Sequence, residues 1–144
     1  MRRASLLGLP ALLVLSLSCG DETGVEVDDL VGTWDATKLE FTNPASPAQH
    51  VDLIFEGWTY ALTLHADSTY DATLDDPDGP PEAITGVWEA TMDVFRMKDD
   101  TEEWWQEFDL SRSGNTLTLT GADLNFDFGA GDVPAKLDVV LVKR

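Results

Sequence analysis

The sequence predicts an all-β protein, an antiparallel up-and-down meander that closes into a barrel of about eight or nine strands. From Leu30 to Arg144, apolar and polar residues alternate with a period of two, the pattern of strands that are buried on one face. Short turns containing Gly, Asn, Asp or Ser separate these runs, so strands that are neighbours in sequence are expected to pair. Closing such a meander removes its unpaired edges, and a barrel is therefore favoured over a sandwich.

The clearest strand signal is a hairpin in the first half of the chain. Tyr60, Leu62 and Leu64 share one face of its first strand, and a turn at residues 66–68 leads into a second strand with the same alternation. The later runs repeat this pattern, with Thr on the polar face of several strands. The expected strands span residues 31–41, 59–65, 69–74, 84–97, 104–111, 116–120, 124–128 and 136–141.

Residues 46–56 break the two-residue period. Ser46, Pro47 and Gln49 have the types and spacing of a capping box with proline at the first helical position. The apolar residues within 51–55 then fall on one helical face, but they also fit one face of a strand. We favour a short helix over one end of the barrel, and a strand is the alternative.

The start of the chain has the features of an export signal. Residues 1–18 combine two arginines with a short apolar run, too short for a spanning helix, and the run ends at Cys19. This arrangement resembles the bacterial lipoprotein signal, which implies that Cys19 is acylated and becomes the first mature residue. The expected location is the bacterial cell envelope, with a lipid anchor in the membrane. Gly20, in place of an Asp, favours the outer membrane. The alternative is an ordinary signal peptide that is cut elsewhere.

Charge and cysteine content exclude several classes of protein. Residues 19–29 form an acidic tether, and the chain has 9 basic and 27 acidic residues. Removal of Arg2 and Arg3 with the signal would change the net charge from −18 to about −20. Such a surface repels phosphate groups, so a nucleic-acid partner is not expected. With one cysteine the chain forms no internal disulfide, and a monomer stabilised by a single apolar core is expected.

Two Gly-x-Trp motifs open strands of the expected barrel, Gly32-Thr33-Trp34 and Gly86-Val87-Trp88. Together with the Leu-Thr-Leu, Asp-Ser-Thr-Tyr and Gly-Asn-Thr-Leu-Thr-Leu-Thr segments between and after them, they resemble lipocalins and bacterial lipocalin-like domains. The resemblance covers residues 30–144 and implies that the tryptophans form the barrel floor, where glycine lets a strand bend. The disulfides and C-terminal helix of lipocalins proper are absent from this sequence.

The resemblance also implies a basic side chain stacked on the first tryptophan of the floor. Lys143 and Arg144 are both placed for this contact with Trp34, and the sequence leaves the choice between them open. The implied function is a non-enzymatic, membrane-tethered binding module without a cofactor, for a small apolar ligand. The residues expected to line its pocket are Trp58, Tyr60, Leu62, Phe108, Leu117 and Phe126.

An alternative function is that of an interaction lipoprotein whose barrel is filled by its own side chains and which binds a protein partner. Trp104 and Trp105 follow an acidic segment, and on a strand one indole would point inward and the other outward. The outward indole would then either anchor a partner or lie flat on a neighbouring strand.

Catalytic and metal-binding motifs are not recognisable. Gly79 in the acidic segment at residues 75–82 does not fit the EF-hand spacing, and the two histidines lack further ligands for zinc. Ser46, His50 and Asp52 are the residue types of a hydrolase triad, but they lie within one loop and no nucleophile elbow is present. We therefore expect neither an enzyme nor a metal protein.

Overall fold

The computed structural model describes residues 26–144, and these residues form one antiparallel sheet of nine strands. Eight strands close into an up-and-down barrel, and one short strand is added to its side. Within the described residues the helical structure is a 3₁₀ turn, Val27–Leu30. The strands are β1 (Gly32–Thr42), β2 (His50–Asp52), β3 (Thr59–Leu64), β4 (Thr69–Asp75), β5 (Glu82–Ala90), β6 (Val94–Asp99), β7 (Gln106–Ser113), β8 (Thr116–Asp127) and β9 (Asp132–Lys143).

The barrel is closed by β1, which pairs with β3 on one side and with β9 on the other. Its first residues, from Gly32, pair with the end of β3, and its longer stretch from Trp34 to Thr42 pairs with β9. A bulge between Ala36 and Lys38 adjusts the register on the β9 side. The predicted all-β meander barrel is confirmed. The expected signal peptide at residues 1–18, Cys19 and the first part of the tether lie outside the described residues.

The helix favoured for residues 46–56 is wrong, because the chain forms turns there and the short strand β2. Its strand alternative, given for residues 51–55, is right only for Val51 and Asp52, which lie in β2 and pair with the end of β1. The Asp52 carboxylate Oδ1 accepts the backbone N–H groups of Leu39 and Ile54, both at 3.0 Å. Leu53 N–H also donates to the Leu39 carbonyl at 2.9 Å. Pairing with this segment therefore gives hydrogen-bond partners to backbone groups of β1. A helix at residues 46–56 would leave those groups without partners.

Two further strand predictions change in the structure. The expected strands at residues 116–120 and 124–128 form one long strand, β8, because a bulge between Leu119 and Ala122 continues the pairing. Gly121 adopts φ = 81° at this bulge, a conformation that favours glycine. The segment expected at residues 84–97 is split into β5 and β6.

The alternating strands give the barrel two different ends. At the closed end lie Leu30 and the turns at residues 65–68, 91–93 and 114–115. At the open end lie the longer connections that follow β1, β4, β6 and β8. The interior is apolar, and Trp34, Phe95, Phe108 and Leu117 are among its largest fully buried or nearly fully buried side chains.

Candidate functional site

Two tryptophans lie buried at the closed end of the barrel, as the sequence predicts for its floor. The Trp34 indole N–H donates to the Leu30 carbonyl at 2.8 Å, and the Trp88 indole N–H donates to the His65 carbonyl at 3.2 Å. The Trp88 ring also stacks near Phe95, with a centroid distance of 6.0 Å. Each indole therefore has a hydrogen-bond partner in the backbone that covers this end of the barrel.

Lys143 supplies the cation at the floor. Its Nζ lies 5.4 Å from the centroid of the Trp34 ring and 3.2 Å from the Asp29 carbonyl oxygen. Arg144 points elsewhere, and its guanidinium pairs with the Asp35 carboxylate at 2.6 Å. This pairing lowers the pKa of Asp35 below its ordinary value, because the hydrogen bonds and positive charge of Arg144 favour the carboxylate.

Glycine is needed at the two Gly-x-Trp motif positions for different structural reasons. Gly32 adopts φ = 137°, a backbone conformation that other residues rarely adopt. Gly86 has an ordinary φ, but its α-carbon is in close contact with its neighbours. A β-carbon at Gly86 would lie 2.1 Å from the Lys98 carbonyl oxygen and 2.7 Å from Cε1 of Tyr70. Gly86 therefore allows the Tyr70 ring to lie directly over β5.

Above the floor the barrel contains a cavity of about 160 Å³. Its wall is mainly aliphatic and aromatic, and all eight barrel strands contribute to it, β5 and β8 with one residue each. Apolar side chains in the wall include Leu39, Phe41, Leu62, Phe108, Leu119 and Val139. The same wall includes four polar side chains, Tyr60, Tyr70, Asp99 and Gln106. This combination of an apolar cavity with few polar groups is typical of small-molecule sites.

The two tyrosines of the cavity are the only tyrosines in the chain. Burial, and after it the negative charges of Asp99 and Asp100, raise the pKa of Tyr70 to about 12. Burial also raises the pKa of Tyr60 above its ordinary value, with a smaller contribution from Tyr70. Both phenols therefore remain neutral at physiological pH, and each presents a hydroxyl group within an apolar wall.

Three of the six side chains predicted to line a pocket do so: Tyr60, Leu62 and Phe108. Leu117 is fully buried near the start of β8, in the packed layer at the closed end. Phe126 lies one layer beyond the wall, where it stacks on Phe41 at a centroid distance of 4.1 Å.

Trp58, the remaining residue of that prediction, is half-buried in the connection before β3, and it is not part of the cavity wall. The sequence reasoning missed Tyr70, Asp99 and Gln106. A usable signal existed for Asp99, because the inward alternation of Phe95 and Met97 continues to it.

Trp104 and Trp105 precede β7, so the prediction that they lie on a strand with one indole inward is wrong. Trp105 lies half-buried on the outer face, where Arg96 and Lys98 of β6 stack over its ring at 4.8 and 5.4 Å. Trp104 is 44% exposed and borders a shallow groove beside Asp123. The alternative prediction, that an indole lies flat on a neighbouring strand, is therefore right for Trp105.

The polar residues considered for catalysis are engaged elsewhere. Asp52 binds backbone N–H groups, and His50 Nδ1 lies 3.4 Å from a carboxylate oxygen of Glu40. His65 pairs with Asp71 at 2.5 Å on the barrel surface. In residues 26–144, no group of three or more His, Cys, Asp or Glu side chains is arranged to hold a metal ion. Across the same range, no helix has the length and apolar character needed to cross a bilayer.

The architecture and the cavity together define an eight-stranded antiparallel up-and-down β-barrel, consistent with a lipocalin-like fold. Comparison of the chain with protein-family models, curated proteins and solved structures finds no match.

Proposed function

We propose that this protein is a non-enzymatic, lipocalin-like binding module that is tethered to the bacterial outer membrane through an acylated Cys19. Its barrel holds a small apolar ligand. The observation that carries the proposal is the cavity of about 160 Å³, walled mainly by apolar side chains above the tryptophan floor. A barrel of eight strands has room either for its own side chains or for one small ligand, and the cavity favours the second arrangement.

The size of the cavity limits the ligand. An apolar protein cavity of about 150 Å³ accommodates benzene, whereas pockets for drug-sized ligands measure about 300–1,000 Å³. The cavity here therefore suits a single ring or a short aliphatic chain. Fatty acids and other long-chain lipids are too large for it.

The end of the barrel at which the N-terminal segment joins β1 supports a tethered carrier. Residues 26–31, which precede β1, lie at the closed end, where Leu30 is buried under Trp34. Asp29 is held there by Arg112 at 3.1 Å and by the ammonium group of Lys143. An anchor at Cys19 would therefore join the barrel at the end opposite its opening and leave the opening free.

Toluene is a suitable probe, because it is a single apolar ring. We expect it to bind the full chain in calorimetric titrations and to raise the melting temperature. Val139→Phe should fill the cavity and abolish this binding, whereas Val140→Phe, the same change on the outer face of β9, should leave it intact. Circular dichroism establishes that each variant is folded. Ile84→Phe provides a second cavity-filling variant on another strand.

The alternative function, an interaction lipoprotein with a filled barrel, predicts a different result. Toluene would then neither bind nor stabilise the protein, and Val139→Phe would affect stability alone. The exposed indole of Trp104 is the outer-surface feature that favours this alternative. Absence of toluene binding in a folded wild-type protein would overturn the proposed ligand site.

A further inference from the structure

We propose that the cavity selects a small monocation, a protonated amine carrying a single ring or a short apolar chain. This inference rests on the proposed ligand-binding function and names the ligand class for that site. It is carried by the one carboxylate of a mainly apolar wall, by two neutral phenols in the same wall, and by the acidic residues around the opening.

Asp99 supplies the carboxylate. It is the last residue of β6, it follows the inward-facing Phe95 and Met97 in alternation, and it lines the cavity. Thr101 donates both its backbone N–H and its hydroxyl to Asp99, each at 2.8 Å, and both hydrogen bonds end on Oδ1. The carboxylate is therefore held in a fixed orientation, while Oδ2 takes part in neither of these bonds. A charged hydrogen bond to an ammonium group is about twice as strong as one between neutral groups.

Tyr70, Tyr60 and Gln106 are the other polar side chains of the wall. Tyr70 and Asp99 lie in the same row of the sheet, because both are paired with Gly86, one from each neighbouring strand. The negative charge of Asp99 contributes, after burial, to the raised pKa of the Tyr70 phenol. Neutral phenol oxygens accept hydrogen bonds from an ammonium group, and phenol rings attract cations through their faces.

The surroundings of the opening strengthen the preference for positive charge. The connections after β4 and β6 lie at this end and carry many carboxylates, which attract cations and repel anions. The nearby cations are already engaged, Lys98 over the Trp105 ring and Lys136 with Asp123 at 2.6 Å. The carboxylates in and next to these two connections include Asp75, Asp76, Asp78, Asp100, Glu102 and Glu103.

The apolar part of the wall excludes ligands with several charges. Asp99 is the one carboxylate among the residues that line the cavity, and the other polar groups there are neutral at physiological pH. A second ammonium group would therefore enter an apolar environment without a partner, which is unfavourable. A ring that fills the cavity, with one ammonium group near Asp99, meets both conditions.

The test compares three probes of one size, benzylamine, benzyl alcohol and benzoate, by calorimetric titration of the full chain at neutral pH. We expect benzylamine to bind about tenfold more tightly than benzyl alcohol, and benzoate not to bind. Asp99→Asn keeps an oxygen acceptor for Thr101 but removes the charge, so it should abolish the preference for the amine. Asp109→Asn removes one charge from the outer face of β7 and should preserve the preference.

The outcomes separate this inference from the proposed function. If benzyl alcohol binds as tightly as benzylamine, the cavity is a ligand site without selection for charge, and the inference is wrong. Equal effects of Asp99→Asn and Asp109→Asn would also overturn it, because the preference would then come from the net charge alone. If no probe binds the folded protein, and toluene does not bind either, both proposals fail.

Discussion

The ring of Tyr70 lies against Gly86 so closely that a β-carbon at Gly86 would be 2.7 Å from Cε1 of the ring. The two residues are also directly paired across β4 and β5. This contact places the Tyr70 hydroxyl in the cavity wall, close enough to Asp99 for the carboxylate to affect its pKa. One residue of the second Gly-x-Trp motif therefore shapes the cavity wall, while the other, Trp88, covers the closed end.

Replacement of Gly86 by alanine is expected to destabilise the barrel by about 2–3 kcal/mol, because the added methyl group overlaps backbone as well as a side chain. The Lys98 carbonyl oxygen, 2.1 Å from the added β-carbon, cannot move without disturbing β6. Urea unfolding measures the change. Gly79→Ala, in an exposed loop with an ordinary φ, is the control and should change stability by less than about 0.5 kcal/mol. Similar losses for both variants would contradict the close packing at Gly86.

Loss of the ammonium group above Trp34 is expected to lower the free energy of unfolding by about 0.5–1 kcal/mol. Lys143→Met tests this, because methionine keeps an apolar stem beside the indole and removes the charge. Lys143→Arg retains a cation and should recover most of the lost stability. If the arginine variant is as unstable as the methionine variant, the contact depends on side-chain shape and the cation–π interaction is unimportant.

Alkaline pH is expected to destabilise the protein through its two tyrosines. An unfolded tyrosine loses its proton near pH 10, whereas folded Tyr70 retains it until about pH 12. The raised pKa therefore contributes stability that is fully present below pH 10 and is lost as the pH rises through 12. The slope is up to about 1.4 kcal/mol per pH unit for each such tyrosine.

Tyrosinate absorbance measures this titration directly, because Tyr60 and Tyr70 are the only tyrosines in the chain. The folded protein should show no tyrosinate near pH 10, and Tyr70→Phe should reduce the pH dependence of stability above that point. A titration midpoint near pH 10 in the folded protein would contradict the buried position of both phenols.

Acylation of Cys19 is expected to determine where the protein is found in the cell. Cys19→Ser should move the protein from the membrane fraction to the soluble fraction, and the N-terminal peptide of the mature wild-type protein should carry fatty acyl chains by mass spectrometry. Ser18→Ala, which keeps a small residue before the cysteine, is the control and should remain in the membrane. A wild-type protein that starts at another residue would disprove the lipid anchor.

Sequence patterns identified the strands well where local alternation and the barrel interior agree. Leu62, Leu64 and Tyr70 were expected on the apolar faces of a hairpin and are buried there, because side chains of a strand alternate between two faces. The same rule failed to separate pocket from packed core. Leu117 and Leu62 have the same pattern in the sequence, but Leu117 lies in the closed layer and Leu62 lines the cavity.

Residues 46–56 show why local signals can be overruled. Ser46, Pro47 and Gln49 fit a helix start, yet the neighbouring β1 offers unpaired backbone groups over the same stretch. Hydrogen bonds from the Leu39 N–H to Asp52 and from the Leu53 N–H to the Leu39 carbonyl join the segment to β1. No property of the segment itself indicates that β1 will be its neighbour, so the sequence alone could not choose between helix and strand.

The sequence by itself determined the β-meander, the apolar interior and the tryptophans of the floor, because these depend on alternation and on residue type. The tertiary structure decided which cation meets Trp34. In the register of β1 and β9, Trp34 is paired with Lys143, so the two side chains share a face, and Arg144, one residue further, reaches Asp35 instead. It also decided that Tyr70 and Asp99, both paired with Gly86, line the same cavity. The first outcome depends on how β1 and β9 are aligned when the barrel closes, and the second on the registers of β4, β5 and β6. A two-residue period carries no information about register.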